Sequence, residues 1–160
     1  VALRFNRSLR APIQALSFDL DDTLYFNEDV IQRAEQHQFN TICELVPEAQ
    51  EKGLKYWLDL KWQLAHLHPE VSHDVTLWRQ QVLKTGLSEF GLSGAELTDS
   101  VERVYDEFYY ARSDFSVPQQ TFDVLSKLVK RFPLVAVTNG NADIERLGLA
   151  PYFVGYYRAG

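Results

Sequence analysis

The sequence predicts an α/β fold: a small core of parallel strands, interrupted by a large all-helical insertion. Three observations carry this. The apolar run Ala15-Leu16-Ser17-Phe18 leads directly into Asp19-Leu20-Asp21-Asp22-Thr23-Leu24. A second run, Leu134-Val135-Ala136-Val137, ends in Thr138-Asn139-Gly140-Asn141. Asp19 and Thr138 stand about 120 residues apart, whereas a crossover between neighbouring parallel strands usually needs only about a dozen or more residues and one helix.

The elements follow in order. Ala15–Phe18 reads as a buried strand whose carboxylates emerge at the mouth of a sheet, where α/β folds bind ligands. Asn27 can N-cap a helix with Glu28 and Asp29 in its first turn. Ile31, Ala34, Gln38, Ile42 and Leu45 mark its face, and Pro47 ends it. A second helix carries Leu54, Trp57, Leu58, Trp62 and Ala65 and runs out at His68-Pro69. A third begins near Ser72 or His73 and carries Val75, Leu77, Trp78, Val82 and Leu83, with Gly86 as its C′ residue. A fourth starts at Ser93, which forms a capping-box pattern with Glu96, and continues through Leu97, Val101, Val104, Tyr105 and Phe108. Four helices in series make a small bundle.

Val117-Pro118 returns the chain to the core. A helix over about 119–130 shows Phe122, Leu125, Leu128 and Val129. Pro133 precedes the second strand, whose β-branched residues suit a buried parallel strand. A short helix over about 142–147 and a third strand beginning in Phe153-Val154-Gly155-Tyr156-Tyr157 complete the reading.

Composition narrows the function. The 160 residues suffice for one ordinary domain, and 46% hydrophobic with 24% charged residues is normal for a globular protein. A net charge of −6 with no basic run argues against nucleic acid and anionic membranes as partners. No apolar run is long enough to span a bilayer. The N-terminal Val-Ala-Leu-Arg-Phe-Asn-Arg lacks the apolar stretch of a signal peptide. The single cysteine, Cys43, excludes an internal disulfide and is expected in the core or on a helix face, and a reducing cytoplasm is the expected location. The chain has no methionine and stops abruptly at Tyr157-Arg158-Ala159-Gly160, so both ends are expected to be trimmed.

The chemistry concentrates at the two strand ends. In extended geometry Asp19 and Asp21 point to one side and Leu20 to the core. Neighbouring carboxylates repel, so the pair needs a cation, a shared proton or full solvation, and a hard divalent cation such as Mg²⁺ is the natural solution. The bland reading is a turn, since Asp-Asp-Thr is good turn chemistry. At the second strand end, Thr138 with free N–H groups near Asn139 and Gly140 can hold a phosphoryl oxygen, and the bland reading is an Asn-Gly turn.

Together the two motifs resemble those of the haloacid dehalogenase (HAD) superfamily: apolar residues followed by DxDxT, and a Ser or Thr at a later strand end that binds the transferring phosphoryl group. The resemblance implies a partial Rossmann-like core over 1–25 and 117–160, incomplete at its C-terminus, with a helical cap over 26–116 roofing the site. It implies Asp19 as nucleophile on a small phosphomonoester and Asp21 as general acid and base. It implies Mg²⁺ held by the Asp19 side chain and the Asp21 main-chain carbonyl, and phosphate held by Thr138, Asn139 and Gly140. Thr23 would support the loop, while Asp22 reads equally as a turn residue or a functional one. Two family features have no match here: a lysine that neutralises the phosphoryl group and a later acidic pair. The implied alternatives are a phosphomutase, a dehalogenase, or an inactive fragment acting only as a binding module. A small phosphorylated metabolite is the expected partner of a monomer or weak dimer.

Substrate choice is expected in the cap. His73, Asp74, Trp78 and Arg79 could face the site, with Arg beside Trp suited to a ring or a second anion. The preferred reading packs Trp78 in the bundle and leaves Arg79 in solvent. His66 and His68 do not share a helix face and read as a helix end, and His37 reads as a helix-face residue. DLDDTLY, HDVTLWR, VPQQT and PLVAVTNGN resemble bacterial phosphatases of flavin metabolism, which implies FMN or the phosphorylated ribitylaminouracil precursor of riboflavin as substrate.

Overall fold

The computed structural model describes residues 12–69 and 74–158. Strand β1 (Leu16–Phe18) is followed by helices α1 (Glu28–Leu45), α2 (Ala49–Leu67), α3 (Val75–Glu89), α4 (Gly94–Arg112) and α5 (Gln119–Leu128). Strand β2 (Leu134–Thr138), a 3₁₀ turn (Ala150–Tyr152) and strand β3 (Gly155–Arg158) then complete the chain. The sheet is parallel with order β1-β2-β3. Phe18 pairs with Ala136, and Thr138 with Arg158. The shared direction brings the ends of all three strands to one edge, which is why Asp19 and Thr138 meet there.

The apolar interior falls into separate clusters. Leu20, Leu24, Leu125, Leu134, Ala136, Ile144 and Leu149 pack around the sheet. Ile42, Trp57, Leu83, Leu87, Val101 and Val104 pack among α1–α4. The helices form because their stripes meet: Val101, Val104 and Phe108 recur at helical spacing along α4 and are buried.

Several local expectations are corrected. Gly86 is not a C′ residue; it lies buried inside α3, where a Cβ would come within 2.2 Å of Trp57 Cζ3. Phe90 is the C-cap, and Gly91 takes the left-handed φ of 93°. Asn27 and Ser93 precede their helices, but neither makes a side-chain cap, so the capping box does not form. Asp74 is the cap that does: its carboxylate accepts from the N–H groups of Thr76 and Leu77 at 2.9 and 3.0 Å. Ser72 and His73, expected at the start of α3, lie outside the described residues, as do Val1 to Arg7.

On α2 the buried face is Trp57, Leu60 and Leu64, and Trp62 is exposed. Gly53, with φ of 70°, breaks this element, and the continuous helix runs from Leu54. The expected helix over 142–147 is a run of turns. Asp143 accepts there from the N–H groups of Glu145 and Arg146, and Gly148 turns the chain away at φ 68°. Strand β2 alternates rather than being buried throughout, since Val137 is exposed. His37 lies on the α1 face 2.8 Å from Glu107, and His66 folds back on the Trp62 carbonyl at the helix end. Cys43 is half-buried against the helical cluster, and burial raises its thiol pKa.

Candidate active site

The loop after β1 departs from extended geometry at once. Leu20 is fully buried and its carbonyl accepts from the N–H groups of Thr23 and Leu24, so the chain turns within one step of the strand. Asp22 occupies this turn with φ of 56°, and its carboxylate accepts from the Asn27 N–H at 2.8 Å. Its visible work is therefore structural: it sets the path into α1. Thr121 at the start of α5 donates to the Leu24 carbonyl at 2.7 Å and fixes the other side of the loop.

Asp19 is exposed at the strand end, with Oδ1 accepting from the Leu20 N–H at 2.7 Å. It lines one groove with Thr138, Asn139 and Arg158. Thr138 is buried, and its Oγ1 accepts from the Gly140 N–H at 3.0 Å. The hydroxyl thus organises the loop that follows β2.

Asp21 has a different environment. Its Oδ1 accepts from Arg112 Nη2 and from the Tyr25 hydroxyl, both at 2.6 Å. Arg112 is the last residue of α4 and only 1% exposed. Burial, then the bond to Asp21, pushes the Tyr25 phenol well above its ordinary pKa, so it stays a donor. The other oxygen, Oδ2, faces Gly140: a Cβ there would lie 2.7 Å from it. Only glycine permits this approach of the two strand-end loops.

Asp21, Gly140, Trp78 and Arg79 line a second space, a cavity of about 150 Å³ between the sheet end and the helices. Arg79 is not in solvent. It donates to Gln38 at 2.9 Å, lies 3.7 Å from Glu35 and stacks 3.5 Å over the Phe108 ring. Burial lowers its pKa to about 10, with Glu35 opposing that shift. Lys61 shares Glu35 at 2.9 Å and lies 5.3 Å from the Trp78 ring centroid. His73 lies outside the described residues, and Asp74 is engaged as the cap of α3.

Sequence reasoning missed Arg112, Tyr25, Glu35 and Lys61. Arg112 carried a signal. It continues the stripe Val101, Val104, Phe108 at helical spacing, and a charge on an apolar stripe must find a buried partner.

Among the described residues, no three or more of His, Cys, Asp and Glu cluster as metal ligands. Mg²⁺ does not require such a cage; it usually keeps several waters and takes one or two carboxylates plus substrate phosphate. The exposed Asp19 carboxylate fits that role. The Asp21 carboxylate does not fit it through Oδ1, which Arg112 and Tyr25 already hold.

No family model matches the chain. The chain is 40% identical, over 99% of its length, to the 5-amino-6-(5-phospho-D-ribitylamino)uracil phosphatase YigB of Escherichia coli K12. It superposes on a 2-haloacid dehalogenase from Pseudomonas syringae pv. Tomato DC3000 with a TM-score of 0.83 and 28% identity over 92% of the chain. The chain belongs to the haloacid dehalogenase superfamily. The fold extends to the putative HAD-hydrolase YfnB of Bacillus subtilis, solved bound to magnesium, at TM-score 0.57 and 18% identity over 91% of the chain and 64% of that protein. The chain spans 66% of the length of the E. coli relative and 64% of the Pseudomonas one. Within the superfamily framework, Asp19 and Thr138 share the groove and Asp21 stands between that groove's loop and the cavity.

Proposed function

We propose that this protein hydrolyses a small phosphomonoester of flavin metabolism through an aspartyl-phosphate at Asp19, with Mg²⁺ as cofactor. The observation that carries the reading is the groove that Asp19 shares with Thr138, in a chain 40% identical to a ribitylaminouracil-phosphate phosphatase.

The residues divide the work. Oδ1 of Asp19 is engaged by Leu20, so Oδ2 attacks phosphorus while the ester oxygen departs. Thr138, whose Oγ1 accepts from the Gly140 N–H and keeps its own hydrogen to donate, orients a phosphoryl oxygen together with the N–H near Asn139. Asp21 gives a proton to the leaving alkoxide from Oδ2, while Arg112 and Tyr25 hold Oδ1. The same oxygen then takes a proton from the water that attacks the phosphoryl group, which releases phosphate and restores Asp19. Proton transfer of this kind contributes roughly 10²–10⁴-fold. Asp19 and the Asp21 main-chain carbonyl would hold Mg²⁺, which would supply charge neutralisation; with positioning, that is most of phosphoryl-transfer catalysis. Arg158 adds positive charge in the groove.

The reading includes residues 26–116 as a substrate-selecting cap hinged near 25–27 and 116–118, and Trp78 and Arg79 as contacts to the leaving group. It includes a cytoplasmic location and a monomer or weak dimer. Among the described residues, no helix is long and apolar enough to cross a membrane.

The test is phosphate release from para-nitrophenyl phosphate. Chelation and Asp19→Asn should each abolish it, and activity unchanged by both would refute the proposal. A second reading, dehalogenation, has the Pseudomonas relative in its favour. Dehalogenation needs the nucleophile but not a second acid two residues on, so Asp21 favours the phosphatase. Chloride release from 2-chloropropionate without phosphatase activity would reverse that choice.

A further inference from the structure

The arginines around the strand ends are mostly committed. Arg112 is held by Asp21 at 2.6 Å, and Arg79 shares Glu35 with Lys61. Arg146 lies 3.8 Å from the Tyr110 ring centroid. Arg158 is different. It ends β3 as an exposed residue, and among the described residues no ion pair includes it.

Strand register aims this side chain. Thr138 and Arg158 are partners across β2 and β3. Partners in neighbouring parallel strands send their side chains to the same face of the sheet. Both residues line the groove that holds Asp19, where Asp19 is the acid and Arg158 the base. A phosphomonoester dianion entering there adds negative charge beside a carboxylate, and Arg158 is the cation that the groove itself offers it.

Helix α4 reaches the same place through Tyr109. Burial and then Asp143 raise the pKa of this phenol, and the nearby Arg158 lowers it. The Tyr109 ring stacks on Tyr105, whose hydroxyl lies 3.1 Å from Thr76 Oγ1. The Asp143 carboxylate is engaged by the N–H groups of Glu145 and Arg146. A neutral phenol therefore steadies Arg158 without cancelling its charge.

We infer that Arg158 is a substrate-contacting residue, whose guanidinium donates to a non-bridging oxygen of the phosphoryl group seated between Asp19 and Thr138, and that Tyr109 of α4 is its positioning residue. The inference rests on the phosphatase reading for the phosphoryl group itself. Beyond that reading, it gives the helical insertion a part in phosphoryl binding. The planar guanidinium fork matches two phosphate oxygens at once, and an unpaired arginine can turn to them without first breaking an ion pair.

The experiment is calorimetric titration of the full chain with inorganic phosphate in magnesium chloride. The parent should bind, and Arg158→Gln should bind about tenfold more weakly, as expected for one hydrogen bond between charged groups. Tyr109→Phe keeps the ring stack, removes the hydroxyl and should weaken binding about 2–5-fold. In the Arg158→Gln background the same change should have no effect, because both residues act through one contact. Circular dichroism shows each variant folded. No phosphate binding by the parent, unchanged affinity in Arg158→Gln or in Tyr109→Phe, or an undiminished Tyr109→Phe effect in the double variant would each overturn the inference. Turnover of para-nitrophenyl phosphate with phosphate binding indifferent to Arg158 sinks this inference alone. Arg158-dependent phosphate binding without turnover supports it and sinks the phosphatase reading alone.

Discussion

Nη2 of Arg112 lies 2.6 Å from Oδ1 of Asp21, across 91 residues of sequence. The pair joins the last turn of α4 to the loop after β1, so the helical insertion and the strand-end chemistry share one ion pair. Arg112→Leu leaves a half-buried carboxylate without its cation. We expect a loss of about 3 kcal/mol, in the range for breaking buried pairs, read as a lower urea midpoint.

Gly140 tests the other side of the same carboxylate. Gly140→Ala places a methyl 2.7 Å from Asp21 Oδ2, inside contact distance. Asp21 must shift, and misplacement of a reacting group by about 1 Å can cost 10²-fold in rate. The expected result is a fall in kcat approaching that size, with a folded protein by circular dichroism.

Gly86 tests packing rather than chemistry. A Cβ there meets the Trp57 indole at 2.2 Å, inside the helical cluster. Overpacking of this kind costs about 1–3 kcal/mol. Gly86→Ala should therefore lower Tm, although alanine is the better helix former at an exposed site.

Tyr25 sets an alkaline prediction. Its pKa is raised in the folded protein by burial and then by Asp21, against an ordinary value of 10.0. A raised folded pKa contributes stability that is full below the unfolded value and is lost as pH climbs through the folded one. Arg79, lowered to about 10 by burial, works in the opposite sense over the same range, so the comparison must be between proteins. Tyr25→Phe should lose less stability than the parent between pH 9 and 11 in urea titrations. Parallel slopes would count against the assignment.

The sequence was legible where periodicity and burial agree. The stripes of α1 and α4, the two polar strand ends and the parallel sheet follow from local pattern, whereas Leu77 on α3 is exposed. The misreadings have tertiary causes. Gly86 resembles a helix terminator because glycine favours C′, but its reason is the Trp57 ring. Ser93 and Glu96 spell a capping box, yet the chain enters α4 through Gly94 at φ 60°. Asp143 and Gly148 close turns where a short helix is expected. Asp19, Asp21 and Thr138 were visible as candidates because their types and positions carry the chemistry. Arg112 stood out only as a charge on an apolar stripe; its partner, 91 residues away, leaves no mark in local spacing, and neither do the partners of Glu35 on two other helices. Arg79 was assigned to solvent because a charge normally belongs there, and Gln38, Glu35 and Phe108 override that preference.

The central claim is that Asp19 carries the phosphoryl group. Acid quench of the protein during turnover of para-nitrophenyl phosphate, followed by borohydride reduction and mass spectrometry, locates any acyl phosphate. The account predicts a reductive tag on the peptide containing Asp19, absent from Asp19→Asn and from protein quenched without substrate. A tag on a different residue, or steady phosphate release with no tag on Asp19, would contradict it.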